Sequence, residues 1–330
     1  MTINEIAQMA NVSRATVSRY LNDGYVSEEK RERIARVIEQ TGYVPSQQAR
    51  TLRTGKTHFV GVIIPKISSE SIGREVSGIT SVLSASGYSA VLANTDGDVD
   101  SELSYLKSFV EQGQSDGIIL IGTVITDEHK KLFKNFQLPL VVLGQHVTGI
   151  SCIYFDDYNS VYDLTLCCTV GSSHPAYISV PERDYATGYL RRKAFLDAIE
   201  HQGFDVEAAP IEQGKFNAWS GYTCATKIME AHPETDAIVC ATDEIAAGAL
   251  TYLRNKGYKV PDDVRVTGLG DSTLAKVVSP SLTTAHYYYR TSGVEAARML
   301  LEAMEQGEAA PRETKMGFKL VLGDSTQRPV

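Results

Sequence analysis

Two arginines five residues apart, Arg14 and Arg19, stand in the stretch NVSRATVSRYLN among the small side chains of Ser13, Ala15, Thr16 and Ser18. A guanidinium is a planar fork of donors that matches the paired acceptors on a guanine edge. Short hydroxyls suit phosphate oxygens, and an alanine methyl offers only apolar contact. Set on one face of a helix, such residues read a DNA major groove. The charge distribution fits a polyanionic partner. Residues 1–56 hold nine Lys/Arg against six Asp/Glu, a net of +3, whereas the remainder holds 23 against 34, a net of −11. A basic head on an acidic body concentrates attraction for nucleic acid in the head.

The local sequence supplies the elements that hold these side chains. Thr2 and Glu5 form a capping box for a first helix whose Ile3, Ile6, Ala7 and Ala10 share a face. Asn11 and Val12 make a turn. Ser13 caps a second helix in which Val17 and Leu21, four apart, face inward, and this turns Arg14, Ala15, Ser18 and Arg19 outward. Ser27 starts a third helix with Glu28 and Glu29 in its positive first turn, Ile34, Val37 and Ile38 as its apolar stripe, and Gly42 as its stop. Three helices with a tight turn between the first two make a helix-turn-helix.

Beyond Tyr43 the run YVPSQQARTLRTGKTHFVGVIIP changes character. Pro45 ends the helical stretch, and Ser46 can cap a short segment, 47–53, too polar to fold alone. The run TINEIAQMANVSRATVSRYLN, the linker YVPSQQARTLRTGK and the strand VGVIIP together resemble the lactose-repressor (LacI/GalR) family of bacterial transcription regulators, and the resemblance covers the whole chain. It implies a hinge helix that forms on operator DNA, with Leu52 wedged into the minor groove and Ala49 one turn earlier against the partner's hinge. It places Arg14 and Arg19 at operator-reading positions and implies a homodimer on a palindromic operator. The expected divisions are a helix-turn-helix domain at 1–44, a hinge at 45–57, and an effector-binding and dimerisation domain at 58–330.

From residue 58 the pattern turns to alternating strands and helices. Strand candidates lie at 58–65, 88–95, 117–122, 138–144, 176–180, 237–241 and 264–268, most of them followed by helical stretches. This alternation predicts parallel sheets with covered faces, and the length exceeds what one such sheet needs, so two doubly wound lobes are expected. Ligands of such folds sit beyond the C-terminal strand ends, in the crevice between lobes. The resemblance supplies three chain crossings in a periplasmic-binding-protein-like body. One lobe is then expected at about 58–155 and 286–313, the other at about 156–285 and 314–330.

Polar residues at those strand ends are the effector candidates. Lys66, Ser68 and Ser69 follow the first strand, Gln145 and His146 the fourth, and Asp156 or Asp157 ends the crossing segment. Asp243 and Asp271 end later strands, where carboxylates can accept pairs of sugar hydroxyls. Phe216, Trp219 and Tyr287 can stack on a sugar's apolar face. Arg191 falls in RRKAF, which matches the family's RxxGF motif with Ala194 for glycine, and the resemblance implies that this arginine touches the effector. The stretch GLGDS departs from the family's GFDD or GYDN, so Gly270 stands where a first acid would bind effector. Within the family, YFDDY, CATDEIAAGAL, GLGDS and SPSLTT look most like regulators of sucrose and trehalose use. That implies a disaccharide or its 6-phosphate as effector, with Lys66 and Arg191 as the two cations a phosphate would want.

Other classes lack their residues. No Walker loop, HExxH, GxSxG or EF-hand loop occurs, nor a GxGxxG opening a helix after a strand, and the two GDS runs at 270–272 and 323–325 have no partnered base. No enzymatic activity and no cofactor is therefore expected. Cys152, Cys167, Cys168, Cys224 and Cys240 form no CxxC pair and no Cys/His ligand spacing, which predicts buried reduced thiols and no metal. No apolar run approaches the roughly 20 residues of a membrane span, and the N-terminus lacks a secretory pattern. A cytoplasmic chain is expected, and a transport receptor sharing the two-lobed body is not. The C-terminal GDSTQRPV lacks the heptads of a coiled-coil tetramer.

Overall fold

A computed structural model describes residues 1–43, 55–307 and 310–326, and the chain separates into two units, Met1–Thr57 and His58–Val330. In the first unit three helices form where the caps direct: α1 (Ile3–Met9), α2 (Arg14–Tyr20) and α3 (Glu28–Thr41). Thr2 and Glu5 close the capping box, with Thr2 N donating to Glu5 Oε2 at 2.6 Å and Glu5 N to Thr2 Oγ1 at 3.4 Å. Asn11, at φ 51°, supplies the left-handed residue of the turn, and Gly42, at φ 61°, terminates α3. Ser27 precedes α3 but makes no side-chain cap, so the first-turn acids Glu28 and Glu29 face the helix dipole without it. Ile6, Ala7, Ala10, Val17, Val26, Ile34 and Val37 fill a small core. The hinge segment, with Ala49 and Leu52, lies outside the described residues.

The second unit follows the chain as β1 (Phe59–Ile64), α4 (Glu70–Ala85), β2 (Ser89–Asn94), α5 (Val99–Glu111), β3 (Gly117–Ile121), α6 (Asp127–Lys134), β4 (Leu140–Leu143) and β5 (Cys152–Phe155). It then crosses to a second lobe: α7 (Asp157–Thr169), β6 (Pro175–Ser179), a π-helical turn (Tyr185–Leu190), α8 (Arg191–His201), β7 (Ile211–Gln213), α9 (Ala218–Ala231), β8 (Ala237–Cys240), α10 (Asp243–Lys256), β9 (Arg265–Thr267), α11 (Thr273–Val277) and β10 (Thr284–Tyr287). It returns through α12 (Tyr289–Gln306) and β11 (Glu313–Met316), and crosses once more to β12 (Phe318–Val321).

The first sheet is parallel, in the order β11-β5-β4-β3-β1-β2, and the second is parallel in the order β7-β6-β8-β9. Covered faces explain the near-continuous apolar runs of β1 and β3. On one face of the first sheet Ile79, Leu83, Ala296 and Leu300 of α4 and α12 close a core; on the other, Leu106, Phe109 and Phe133 do the same. Helices α4 and α12 cross at backbone distance. A Cβ on Gly78 would stand 2.1 Å from Arg290 O, and one on Gly293 would stand 2.1 Å from Glu75 O. The second sheet and its helices share one larger core that also takes in Ala285 and Tyr287 of β10.

Each of the seven strand candidates overlaps a strand. The five others, β5, β7, β10, β11 and β12, have three or four residues each, as do β4, β8 and β9 among those expected. Two lobe boundaries shift. β11 pairs with β5 from Glu313↔Cys152 to Met316↔Phe155, so the first lobe continues to Met316 rather than 313, and residue 286 falls inside β10, which pairs antiparallel with β12. All five cysteines are free thiols; Cys152, Cys168, Cys224 and Cys240 are buried and Cys167 is half-buried. Among the described residues no helix is long and apolar enough to cross a membrane.

Candidate functional site

On α2 the inward side is Val17, fully buried, with Leu21 beyond the helix end packed against the same core. Arg14, Ala15 and Arg19 are exposed, and neither arginine has an ion-pair or hydrogen-bond partner among the described residues. Ser13 is spent partly on the helix itself: its Oγ accepts from Thr16 N at 3.2 Å and lies 2.9 Å from Thr16 Oγ1. Ser18 is half-buried and its carbonyl accepts from the Asn22 amide. The arginine of α3 nearest this face is tied down, Arg31 lying 5.4 Å from the Tyr20 ring centre. The face therefore presents two unengaged guanidinium forks on a short helix, Arg14 beside its capped N-terminus and Arg19 in its last turn.

In the second unit, the C-terminal strand ends of both sheets converge on one cavity of about 640 Å³. From the first lobe it takes Lys66, Ser69, Glu70 and Glu75 after β1, Asp96 after β2, Thr123 and Val124 after β3, and Gln145 after β4. From the second it takes Asp157 and Arg191 at helix starts, Arg183 and Asp184 after β6, Lys215 and Phe216 after β7, Asp243 after β8, and Gly270 after β9. Tyr289 closes it from the first turn of α12.

Its polar groups are already wired together. Arg191 is buried and donates from Nε to Asp157 Oδ1 at 2.7 Å and from Nη1 to Ala241 O at 2.6 Å, with Nη2 also 2.7 Å from Asp157 Oδ1. Burial opposes its charge, but the Asp157 carboxylate and the phenols of Tyr287 and Tyr289 outweigh burial and hold its pKa above the ordinary guanidinium value. Both terminal nitrogens keep an N–H for a ligand. Asp184 takes Gln145 Nε2 at 2.8 Å and Thr187 N at 3.0 Å; burial still lifts its carboxyl above the usual range against those bonds. Asp243 takes Ser272 N at 2.8 Å and Thr284 Oγ1 at 2.6 Å, and burial likewise raises it.

Four interactions join the lobes around this cavity. Gln145 reaches Asp184, Lys66 Nζ donates to Phe216 O at 3.2 Å, and Arg74 Nη2 donates to Asp271 O at 3.1 Å. Glu70 accepts from Thr273 N at 3.0 and 3.1 Å, satisfying the start of α11 from the opposite lobe.

Of the effector candidates, Lys66, Ser69, Gln145, Arg191, Phe216 and Asp243 line the cavity. Five do not. Asp156 caps α7 through Asn159 N and pairs with Lys315 Nζ at 3.0 Å, while its neighbour Asp157 takes the inner position. Trp219 is 73% exposed and stacks on Tyr222. Tyr287 is fully buried behind the cavity, stacked on Phe155, its hydroxyl 2.6 Å from Ser160 Oγ and 3.2 Å from Asp157 Oδ1. It positions the Arg191 pair from behind. Asp271 turns to Lys276 Nζ at 3.1 Å and His286 Nδ1 at 2.7 Å. Ser68 stands outside the lining, and His146 lies 2.7 Å from Glu313 instead.

The departure at Gly270 has a steric cause. At φ 133° the residue is in a region L side chains rarely adopt, and a Cβ there would lie 3.3 Å from Asp243 Oδ2. A side chain at 270 would therefore crowd the Asp243 carboxylate. Glu75, Asp184 and Tyr289 were not among the candidates. Glu75 leaves a signal: it interrupts the apolar stripe Ile72, Ile79, Leu83 at helical spacing. Its carboxyl is buried, its Oε2 has no hydrogen-bond partner, and desolvation raises its pKa to about 8.

Comparison with known proteins gives concordant findings. Residues 2–46 match the family model described as bacterial regulatory proteins, lacI family, and residues 167–326 match a periplasmic binding protein-like domain. The chain is 30% identical over 305 residues to the sucrose operon repressor of Staphylococcus xylosus, covering 92% of this chain and 93% of that one. It is 30% identical over 332 residues to the catabolite control protein A of Priestia megaterium, covering 99% of each. Among solved structures, the lac repressor dimer bound to operator and the anti-inducer ONPF superposes with a TM-score of 0.89 at 21% identity, over 99% of both chains. A transcriptional regulator CelR–cellobiose complex superposes at 0.73 and 25% identity, over 98% of this chain and 99% of that one.

Proposed function

Since the chain belongs to the lacI family of bacterial regulatory proteins, we propose that it represses a sugar-utilisation operon as a cytoplasmic homodimer on a palindromic operator, with a disaccharide held between the lobes setting operator affinity. Arg14 and Arg19 read base edges while Ser13, Thr16 and Ser18 meet phosphates, and two heads on one palindrome multiply a weak single contact. Leu52 and Ala49 belong to the hinge contact. The cavity carries the reading: about 640 Å³, reached by the strand ends of both lobes, with Phe216 and Tyr289 beside carboxylates that accept hydroxyls. The sucrose operon repressor and the cellobiose-bound regulator point to the same ligand class. The ligand acts by binding one of two states of the body more tightly, a coupling of typically about 1–3 kcal/mol.

A neutral disaccharide such as sucrose, trehalose or cellobiose fits better than its phosphate. Arg191 is neutralised by Asp157, and Lys66 is bound to Phe216 O. One observation favours the second reading: Arg183 and Lys215 line the cavity with no ion-pair partner among the described residues. The test selects operators from random duplex DNA and repeats the selection with each sugar and each 6-phosphate. A palindrome whose recovery changes with one sugar supports the reading. Enrichment without a palindrome, or no response to any sugar, overturns it.

A further inference from the structure

In the cavity the protein completes every buried carboxylate but one. Asp157 has Arg191 and Tyr287, Asp184 has Gln145 and Thr187, and Asp243 has Ser272 and Thr284. Glu75 has nothing. It is 2% exposed, it lines the cavity, and no hydrogen bond or ion pair among the described residues reaches its carboxyl. The arginine next to it, Arg74, is turned to Glu70 and to Asp271 O. The position is not slack: α4 lies at backbone distance from α12 where Glu75 O faces Gly293, so the side chain cannot withdraw with its helix.

We propose that Glu75 is a specificity-determining residue of the cavity, meeting the effector as a neutral carboxylic acid that donates one hydrogen bond and accepts another from adjacent sugar oxygens. A group buried without a partner costs stability unless something supplies the partner. A pair of neighbouring hydroxyls offers an acceptor and a donor at the spacing of a carboxyl's two oxygens, and a monodeoxy sugar at that pair lacks one of them. The surroundings hold the proton on. Desolvation raises the Glu75 pKa to about 8. The titratable and charged groups that face it are Glu70 and Arg74 on its own helix, Tyr289 and Arg290 on α12, and Asp157, Arg191 and Asp243 across the cavity. The cations among them are engaged elsewhere or stand at the helix surface, so none pairs with Glu75.

The inference rests on the reading of this cavity as a sugar site, and the experiment separates the two. Sucrose, trehalose and cellobiose are titrated calorimetrically into the full-length protein and into Glu75→Gln and Glu75→Leu, with thermal melts confirming that both variants fold. The expected result is a sugar that binds the wild type, binds Glu75→Gln within about threefold, and binds Glu75→Leu at least tenfold more weakly. Wild-type affinity should fall between pH 7 and pH 9 as the acid loses the proton it donates, while Glu75→Gln stays level. Equal affinity in Glu75→Leu, or a wild-type affinity that rises above pH 8, overturns the role of Glu75 and leaves the sugar site standing. Absence of binding by any sugar to the wild type overturns both.

Discussion

The head and the body place function on opposite sides of their surfaces. In Met1–Thr57 a core of seven small and medium residues is sealed, and the candidate readers are what remains outside: Arg14 and Arg19, exposed and without partners. In His58–Val330 the charged groups at the centre of the cavity, Asp157, Arg191, Asp184 and Asp243, are themselves buried and joined to other groups. Arg191 is 6% exposed and Asp243 is 2% exposed, each held by two or more bonds. An exposed reader costs little to keep and gains its bonds on meeting a phosphate or a base. A buried reader must be satisfied in the empty protein as well, so the fold supplies a provisional network that the ligand then joins or replaces.

Breaking the body's network should have the largest effect. Asp157→Ala leaves Arg191 charged and buried with only Ala241 O, and unfolding in guanidinium should show a loss of about 3–5 kcal/mol together with loss of sugar binding. The next effect is a pH dependence of stability. The native protein keeps the Glu75 proton to about pH 8, while the unfolded chain loses it near its ordinary value of 4.5. The native state therefore binds more protons in that window, and stability falls as pH rises from about 4.5 to 8, then stays level. Glu75→Gln should remove that decline, and the two proteins should diverge on the order of a few kcal/mol at pH 8 in denaturant titrations.

In the head the effects are smaller and separable from the body. Arg14→Ala and Arg19→Ala should each weaken a selected operator by about 1–3 kcal/mol in gel shifts and relax the base preference at one position, with sugar titrations unaltered. Ser13→Ala removes the cap of α2 and should lower the melting stability of the head by about 1 kcal/mol. The smallest effect belongs to Trp219→Ala. Its ring stacks outside the cavity, and sugar affinity should stay within about 0.5 kcal/mol of wild type. A large loss there would erase the distinction between exposed and buried candidates in the body.

Legibility followed range. The helices of the head were readable from Thr2, Glu5, Ser13 and Gly42 because caps act within one turn, and β1, β3 and β4 were readable from apolar runs bounded by turn residues. β11 was not, since ETKM is a strand only because β5 lies beside it. The same holds at the site. Asp243 could be placed by strand-end position and Arg191 by its match to the family's RxxGF motif, but nothing near Asp156 in sequence says that Lys315 will claim it and hand the inner position to Asp157. Asp271 and Tyr287 were misplaced for that reason: His286, Lys276 and Phe155 decide their orientation, and only the folded chain brings those together. Glu75 was the exception, an acid on an apolar stripe whose oddity was visible and unread.

The four interactions that span the lobes have a consequence for time rather than affinity. Gln145 with Asp184, Lys66 with Phe216, Arg74 with Asp271 and Glu70 with Thr273 span the lobes around the cavity, so parting the lobes there breaks all four. If the proposed sugar is released by parting of the lobes, its residence follows how often they part, and a sugar of modest equilibrium affinity then outlasts a brief fall in its supply. Loosening Glu70 or Arg74, neither of which need touch the sugar, would shorten that memory and leave the set of recognised sugars as it was.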